Sequence, residues 1–171
     1  KTPSEPEEPT KESTVWVVGD STVCSFNDTY YYPRYGWGTQ LEHYFDSSLT
    51  VKNLALSGRS SKSYVQEEQY QTLMQGMKAG DYLFVGFGHN DEKADEGRYT
   101  NPNGNYLTEG SFANSLYVNY VKPAQEKGVT VVLCTPIVRR TATGIWEDSN
   151  LHITSDSGKF EGGNYAEAIR K

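Results

Sequence analysis

Basic clusters and long apolar runs are scarce in this sequence, and each shortage excludes a class of protein. The formal net charge is -6, with 16 Lys and Arg against 22 Asp and Glu, and no basic cluster is large enough to bind nucleic-acid phosphates. No stretch approaches the roughly 20 apolar residues of a membrane-spanning helix. We therefore expect neither a nucleic-acid partner nor a membrane partner.

Cysteine and histidine are also rare. The two cysteines, Cys24 and Cys134, cannot form a disulfide framework and lack the spacing of a metal site, so we expect two separate buried thiols and no metal. The three histidines are His43, His89 and His152. Few residues are therefore available as a general base.

The N-terminal residues 1–13 read KTPSEPEEPTKES and contain no large apolar side chain. Such a Pro- and Glu-rich segment cannot form a core and is typical of a semi-rigid linker. A linker predicts a further module upstream, whereas an ordinary disordered N-terminus is the alternative. Residues 14–171 are predicted to form one domain.

Strand-like and helix-like patterns alternate through that domain. Short apolar runs predict buried strands at Val15–Val18, Val51–Leu56, Asp81–Phe87 and Val129–Cys134. Helices are predicted at Trp37–Phe45, Ser63–Met77, Phe112–Lys127 and Asn164–Lys171, with Pro123 kinking the third. Residues 135–163 are expected to be irregular. This alternation predicts an α/β fold with a parallel sheet covered on both faces.

Polar and small residues follow the first three strands, at the edge where an open parallel sheet places its site. Gly19-Asp20-Ser21 brings a serine hydroxyl to the rim of a cleft, but it also fits a helix N-cap or a tight turn. The N–H of Gly58 and the amide of Asn90 can stabilise an oxyanion, although either residue also suits a plain turn. Ser, Gly and Asn after three successive strands are more specific together than singly.

In combination these residues resemble the SGNH hydrolases, also called GDSL hydrolases, which are named for Ser, Gly, Asn and His in successive blocks. GDST at Gly19–Thr22 matches the first block, Gly58 matches the second, and GHND at Gly88–Asp91 matches the third. YGWG at Tyr35–Gly38 and NLALSGRSSKSY at Asn53–Tyr64 look most like the rhamnogalacturonan acetylesterase subgroup.

The resemblance covers residues 14–171 and implies a flavodoxin-like three-layer sandwich around a central parallel sheet. It implies that Ser21 is the nucleophile and that the backbone N–H groups of Ser21 and Gly58, with the Asn90 side chain, form the oxyanion hole. Asp20 and His89 are expected to support this site. The implied reaction removes acetyl groups from pectin or rhamnogalacturonan through an acyl-serine intermediate, without cofactor, by a secreted or cell-surface enzyme of bacterial type.

Aromatic and arginine side chains are the candidate substrate contacts. Trp37 and Arg59 are the first choices for binding a pectic sugar and its carboxylate. Further candidates, which ordinary surface exposure explains equally well, are Arg34, Arg139, Arg140 and the loop aromatics Tyr30, Tyr31, Tyr32, Tyr35, Tyr99, Tyr106 and Trp146.

The fourth family block, Asp-x-x-His, is absent from the sequence. That block supplies the general base and the carboxylate that orients it, and a serine without a base is a poor nucleophile. His43 is expected at the surface and His89 to shape its loop, which leaves His152 as a weak candidate. The general base is therefore not identified in this chain, and we expect the chain to be truncated at its C-terminus.

Other classes of function also fit parts of the pattern. A non-catalytic carbohydrate-binding module would explain the linker and the aromatics, but it has no use for Ser, Gly and Asn at three strand ends. A nucleotide-binding protein would share the sheet, but Gly-x-Gly-x-x-Gly and the P-loop are missing. A lipase or another esterase of the same family stays open.

Overall fold

The computed structural model of this chain describes residues 13–26, 30–31, 33–137 and 153–171. In this part of the chain the strands are β1 (Thr14–Gly19), β2 (Thr50–Asn53), β3 (Tyr82–Gly86) and β4 (Thr130–Leu133). The α-helices are α1 (Glu68–Gly76), α2 (Phe112–Leu116), α3 (Lys122–Glu126) and α4 (Tyr165–Arg170). Short 3-10 helices lie at Trp37–Thr39, Leu41–Tyr44 and Ser63–Gln66. The predicted linker lies outside the described residues, apart from Ser13.

All described strand pairs are parallel, and the strand order is β2-β1-β3-β4. After β1 the chain forms β2 on one side of β1, and it then crosses over to form β3 on the other side of β1. The direction of winding therefore reverses between β1 and β3, and a crevice opens at such a point beyond the carboxyl ends of the strands. The predicted α/β architecture is confirmed, and its switch point lies between the strands that precede Ser21 and Asn90.

Two cores cover the two faces of the sheet because successive side chains of a strand point to opposite sides. Trp16 and Val18 enter a core formed with the helices, whereas Val15 and Val17 enter a core on the other face. The helical layer contributes Tyr64, Leu73, Met77, Phe112, Leu116, Tyr120 and Tyr165 to the first core. The structure therefore has three layers, as predicted.

Two of the predicted helices are shorter than their hydrophobic spacing indicated. The segment predicted as a helix at Trp37–Phe45 forms two 3-10 turns instead. Gly38 in the first turn packs so closely that a Cβ there would lie 2.7 Å from the Val23 carbonyl oxygen. The segment predicted at Ser63–Met77 is interrupted at Glu67, which is extended at φ -88° and ψ 152°.

The helical segment from α2 to α3 contains a π-helical turn at Tyr117–Val121. Pro123 has no N–H to donate to the Asn119 carbonyl. The π-helical turn lies just before Pro123, where the regular pattern of α-helical hydrogen bonds is interrupted. The Tyr70 hydroxyl donates to the Asn119 carbonyl oxygen at 2.9 Å. Gly128 follows the helix with φ +75°, the left-handed conformation in which a glycine commonly ends a helix.

Candidate active site

The turn after β1 holds Ser21 at the carboxyl edge of the sheet. Gly19 lets β1 and β3 approach closely, because a Cβ there would lie 2.4 Å from the Gly86 carbonyl oxygen. The next residue, Asp20, is buried, and its Oδ1 accepts hydrogen bonds from the Thr22 N–H at 2.8 Å and the Thr22 hydroxyl at 2.7 Å. This contact closes the turn from inside and leaves Ser21 partly exposed.

The YGWG segment at Tyr35–Gly38 holds the Ser21 turn in place through backbone hydrogen bonds. The Gly36 N–H donates to the Cys24 carbonyl at 2.9 Å, and the Trp37 N–H donates to the Thr22 carbonyl at 2.8 Å. The Trp37 side chain is half-buried and packs in the second core with Val23. Trp37 therefore contributes to the support of the Ser21 turn, and its contact with a sugar stays a prediction.

The second loop follows β2 and carries Gly58. The Leu56 N–H donates to the Gly19 carbonyl at 3.0 Å, which brings this loop beside the Ser21 turn. Gly58 has φ +78°, a conformation that favours glycine. Among the described residues other than its chain neighbours, no atom lies within 4 Å of the position that a Cβ on Gly58 would occupy, so the backbone conformation rather than crowding favours glycine here.

The third loop follows β3 and carries Asn90, which is buried. Its Nδ2 donates to the Arg59 carbonyl at 3.0 Å, and its Oδ1 accepts a long hydrogen bond of 3.4 Å from Arg98 Nη1. The two contacts fix the orientation of the amide, since the nitrogen must face the carbonyl and the oxygen must face the guanidinium. One hydrogen of Nδ2 is left over after the bond to Arg59.

His89 connects the third loop to the first. Its backbone N–H donates to Asp20 Oδ2 at 3.3 Å, and its ring Nε2 lies 2.9 Å from the Ile137 carbonyl oxygen. Burial raises the pKa of Asp20, although hydrogen bonds from Thr22 and His89 oppose that shift. The structure therefore brings Asp20 and His89 together as a structural pair, and the histidine ring contacts the Ile137 carbonyl.

Three donors remain available at this edge of the sheet. Among the described residues, neither the Ser21 nor the Gly58 backbone N–H donates a hydrogen bond, and Asn90 keeps one amide hydrogen. An oxyanion hole requires fixed donors of this kind, aimed at the place where negative charge develops. The three loops therefore carry donors of the type that a reaction building negative charge on a carbonyl oxygen needs.

The arginine and histidine candidates other than His89 contact other groups, lie at the surface or fall outside the described residues. The loop aromatics Tyr30, Tyr35 and Tyr106 are exposed. Arg59 forms an ion pair with Glu67 at 2.8 Å and donates to the Ser57 carbonyl at 3.0 Å. Arg34 is exposed, with its guanidinium carbon 5.9 Å from the Tyr31 ring centroid, and His43 is exposed in a 3-10 helix. Outside the described residues lie Tyr32, Arg139, Arg140, Trp146 and His152.

Arg98 belongs to the site, although sequence reasoning did not identify it. It pairs with Asp95, with Nη2 2.7 Å from Oδ2, and this pair holds the guanidinium against the Asn90 amide oxygen. The spacing Asp95-x-x-Arg98 could have indicated a turn closed by an ion pair. It could not have indicated that this turn folds back on Asn90.

No metal or membrane feature accompanies the site in the described part of the chain. The residues described there include no group of three or more His, Cys, Asp or Glu side chains able to hold a metal ion. None of the helices in the described ranges is long and apolar enough to cross a bilayer. Cys24 and Cys134 are separate free thiols, as predicted, but only Cys24 is buried, whereas Cys134 is half-buried.

The structure is a parallel three-layer α/β fold, and one edge of its sheet carries a serine turn, a glycine turn and a buried asparagine. This is the arrangement of one class of serine hydrolases. The chain belongs to the GDSL-like lipase/acylhydrolase family, whose model matches residues 15–167.

Two relatives from Bacillus subtilis (strain 168) are named for an enzymatic activity. The probable rhamnogalacturonan acetylesterase YesY is 36% identical over 73% of this chain and 54% of its own length. The rhamnogalacturonan acetylesterase RhgT is 35% identical over 74% of this chain and 50% of its own length. The chain thus spans about half the length of these relatives.

The crystal structure of protein YxiM from Bacillus subtilis shares the fold. It superposes with a TM-score of 0.67 at 24% identity, covering 95% of this chain and 41% of that one. At this identity the likeness concerns the fold alone.

Proposed function

We propose that this chain carries the nucleophile and the oxyanion hole of a serine esterase that removes acetyl groups from rhamnogalacturonan. The observation that carries the proposal is the set of three unused donors beside Ser21: its own N–H, the Gly58 N–H and one Asn90 amide hydrogen. The substrate class follows from the relatives named for that activity.

In the proposed reaction the Ser21 oxygen attacks the acetyl carbonyl carbon while a base takes the hydroxyl proton. The carbonyl electrons move to the oxygen, and the three donors stabilise that negative charge. Collapse of the intermediate expels the sugar oxygen, which takes up a proton, and leaves acetyl-Ser21. Water then attacks the acetyl group and releases acetate, which restores the serine.

The base in this proposal comes from outside these 171 residues. The sequence contains no Asp-x-x-His, and the His89 ring contacts the Ile137 carbonyl. The chain also matches only about half of its relatives' lengths. His152 is the competing candidate within the chain.

The proposed site of action is extracellular, at the cell surface or in the medium, because an acetylated polysaccharide is too large to cross a membrane intact. Arg59 and Trp37 stay proposed substrate contacts. The ion pair of Arg59 with Glu67 is partly exposed, with side chains 41% and 28% accessible, and an exposed pair of this kind costs little to rearrange. Its guanidinium can therefore turn towards a sugar carboxylate.

The test is acetate release from acetylated rhamnogalacturonan by the full-length protein and by its Ser21→Ala variant. We expect release by the wild type and none above background by the variant, with polysaccharide binding retained. Release that persists in Ser21→Ala would refute the assignment of the nucleophile. Binding without any release by the wild type would instead favour a carbohydrate-binding module.

The position of the base is tested with p-nitrophenyl acetate and the 171-residue polypeptide. We expect the polypeptide to hydrolyse the ester no faster than its Ser21→Ala variant, while the full-length protein does so readily. Hydrolysis by the polypeptide that depends on both Ser21 and His152 would place the base inside the chain.

A further inference from the structure

The carboxylate of Asp91 is fully buried directly after Asn90. Its Oδ1 accepts from the Ser61 hydroxyl at 2.5 Å and from the Thr100 hydroxyl at 2.9 Å, and its Oδ2 accepts from the Ser61 N–H at 3.0 Å. Within the described ranges, every hydrogen bond to this carboxylate comes from Ser61 or Thr100. It is therefore not placed to touch a substrate.

Ser61 is the residue through which Asp91 reaches the second loop. It follows Gly58 by three positions, and Asn90 bonds to the carbonyl of the intervening Arg59. The contacts Asn90–Arg59 and Asp91–Ser61 therefore form two neighbouring links between the loops that carry two of the three oxyanion donors.

The helical layer holds both ends of the Asp91–Ser61 link. The Tyr120 hydroxyl donates to the Ser61 carbonyl at 2.7 Å. The Tyr165 hydroxyl lies 3.0 Å from the Asp91 carbonyl and 2.6 Å from the Thr100 carbonyl. The two loops are thus fixed to each other and to buried side chains of the core, which restricts movement of the donors.

Burial of this carboxylate has an energetic cost. Transfer of a charged group from water into the interior is unfavourable unless hydrogen bonds compensate, and burial raises the pKa of Asp91 to about 7. An asparagine keeps only one acceptor oxygen, so at least one of the hydrogen bonds that the carboxylate accepts from Ser61 and Thr100 is lost or must reverse its direction.

We propose that Asp91 is a positioning residue of the oxyanion hole, acting through Ser61 to fix the separation between the Gly58 N–H and the Asn90 amide. This inference rests on the proposed esterase function. It separates two roles within the GHND block: Asn90 contacts the reacting oxygen, whereas Asp91 holds the glycine loop beside it.

Asp81 offers a matched control at the opposite edge of the sheet. It is buried just before β3, and its carboxylate accepts from the Thr14 N–H, the Trp16 indole N–H and the Lys78 N–H at 2.9, 2.9 and 3.0 Å. Asp81→Asn therefore damages a buried carboxylate with three donors, as Asp91→Asn does, but far along β3 from the oxyanion loops.

The experiment measures kcat and KM for p-nitrophenyl acetate in the full-length wild type, Asp91→Asn, Asp81→Asn and Ser21→Ala. We expect Asp91→Asn to lower kcat by about tenfold to 100-fold with KM changed by less than about threefold, because small misplacements of catalytic donors have effects of this size. Asp81→Asn is expected to lose comparable thermal stability and keep kcat within about twofold of the wild type.

Hydrogen exchange of the backbone amides at residues 57–61 provides a readout that does not depend on turnover. We expect faster exchange there in Asp91→Asn than in Asp81→Asn. If Asp91→Asn does not fold, Ser61→Ala, which removes one donor and keeps the carboxylate, is measured in its place with the same expectation.

The outcomes separate the two proposals. A wild-type kcat and unchanged exchange in Asp91→Asn, or an equal loss of kcat in Asp81→Asn, would overturn the positioning role and leave the esterase standing. Wild-type hydrolysis that survives Ser21→Ala would refute the esterase proposal itself.

Discussion

Asn90 is the residue whose surroundings most directly indicate chemistry. Its amide is buried, donates to the Arg59 carbonyl and accepts from Arg98. A side chain held at both ends cannot rotate to follow a substrate, so its remaining hydrogen has one direction. Such preorganisation is what makes a hydrogen-bond donor effective at a transition state, because no reorganisation is needed when the charge appears.

Asn90→Ala is expected to lower kcat for p-nitrophenyl acetate by about 10²–10³ in the full-length protein, with a much smaller change in KM. The reason is that the donor acts on the oxyanion rather than on the ground-state ester. Steady-state kinetics measure both constants. Asn101→Ala is the control, since the Asn101 side chain donates to Glu161 and not to any of the three loops. Equal kcat values for the two variants would contradict the role given to Asn90.

The sequence was informative for the residues that directly follow strands. Ser21, Gly58 and Asn90 could be named because each lies in a short motif after an apolar run. Arg98 could not be named, because it approaches Asn90 only through the folding of the intervening loop. The link from Asp91 to Ser61 spans 30 positions, and no local pattern indicates such a pairing.

At the scale of elements, the helical segment from Phe112 to Glu126 contains a feature that hydrophobic periodicity does not predict. The spacing predicts one inward face made of Phe112, Leu116, Tyr117, Tyr120 and Val121. Phe112, Leu116 and Tyr120 are buried, whereas Tyr117 and Val121 are only half-buried. The π-helical turn before Pro123 was not predicted. It depends on the N–H that Pro123 lacks and on the Tyr70 hydroxyl, which donates to the Asn119 carbonyl instead.

Tyr70→Phe is expected to lower the free energy of unfolding by about 1 kcal/mol, because it removes the hydroxyl that donates to the Asn119 carbonyl beside the proline. Urea denaturation of the full-length protein measures the change. Tyr106→Phe serves as the control, since the Tyr106 side chain is half exposed and its hydroxyl forms no hydrogen bond among the described residues. Equal stability of both variants would mean that the Tyr70 contact is energetically neutral.

At the scale of the whole molecule, buried aspartates hold both edges of the sheet. Asp81 closes the amino edge, whereas Asp20 and Asp91 lie at the carboxyl edge. The parallel sheet itself followed from the alternation of strands and helices. The strand order and this placement of carboxylates did not, because they depend on which elements pack together.

The proton affinity of Asp91 predicts how stability depends on pH. Burial, with Asp20 adding to it, raises its pKa from an ordinary value of 3.8 to about 7, against hydrogen bonds from Ser61 and Thr100. The folded state therefore binds this proton more tightly than the unfolded chain. Its stabilising contribution is full below about pH 4 and is lost as the pH rises towards about 7.

Comparison of wild type with Asp91→Asn isolates this effect. We expect the difference in unfolding free energy between them to change between about pH 4 and about pH 7, with the wild type losing stability relative to the variant as the pH rises. Other ionisable groups near the carboxylate are Asp20, Tyr120 and Tyr165, and the two tyrosines stay neutral in this range because burial raises their pKa values. A constant difference across the range would show that Asp91 does not titrate there.

Covalent labelling of the full-length protein with a fluorophosphonate tests the central claim most directly. The reagent bonds its phosphorus to an activated serine oxygen with loss of fluoride, and its phosphoryl oxygen then occupies the oxyanion hole. Peptide mass mapping locates the label. The account predicts a label on Ser21 alone, formed more slowly in Asn90→Ala. A label on another serine, or no label on a protein that hydrolyses p-nitrophenyl acetate, would contradict it.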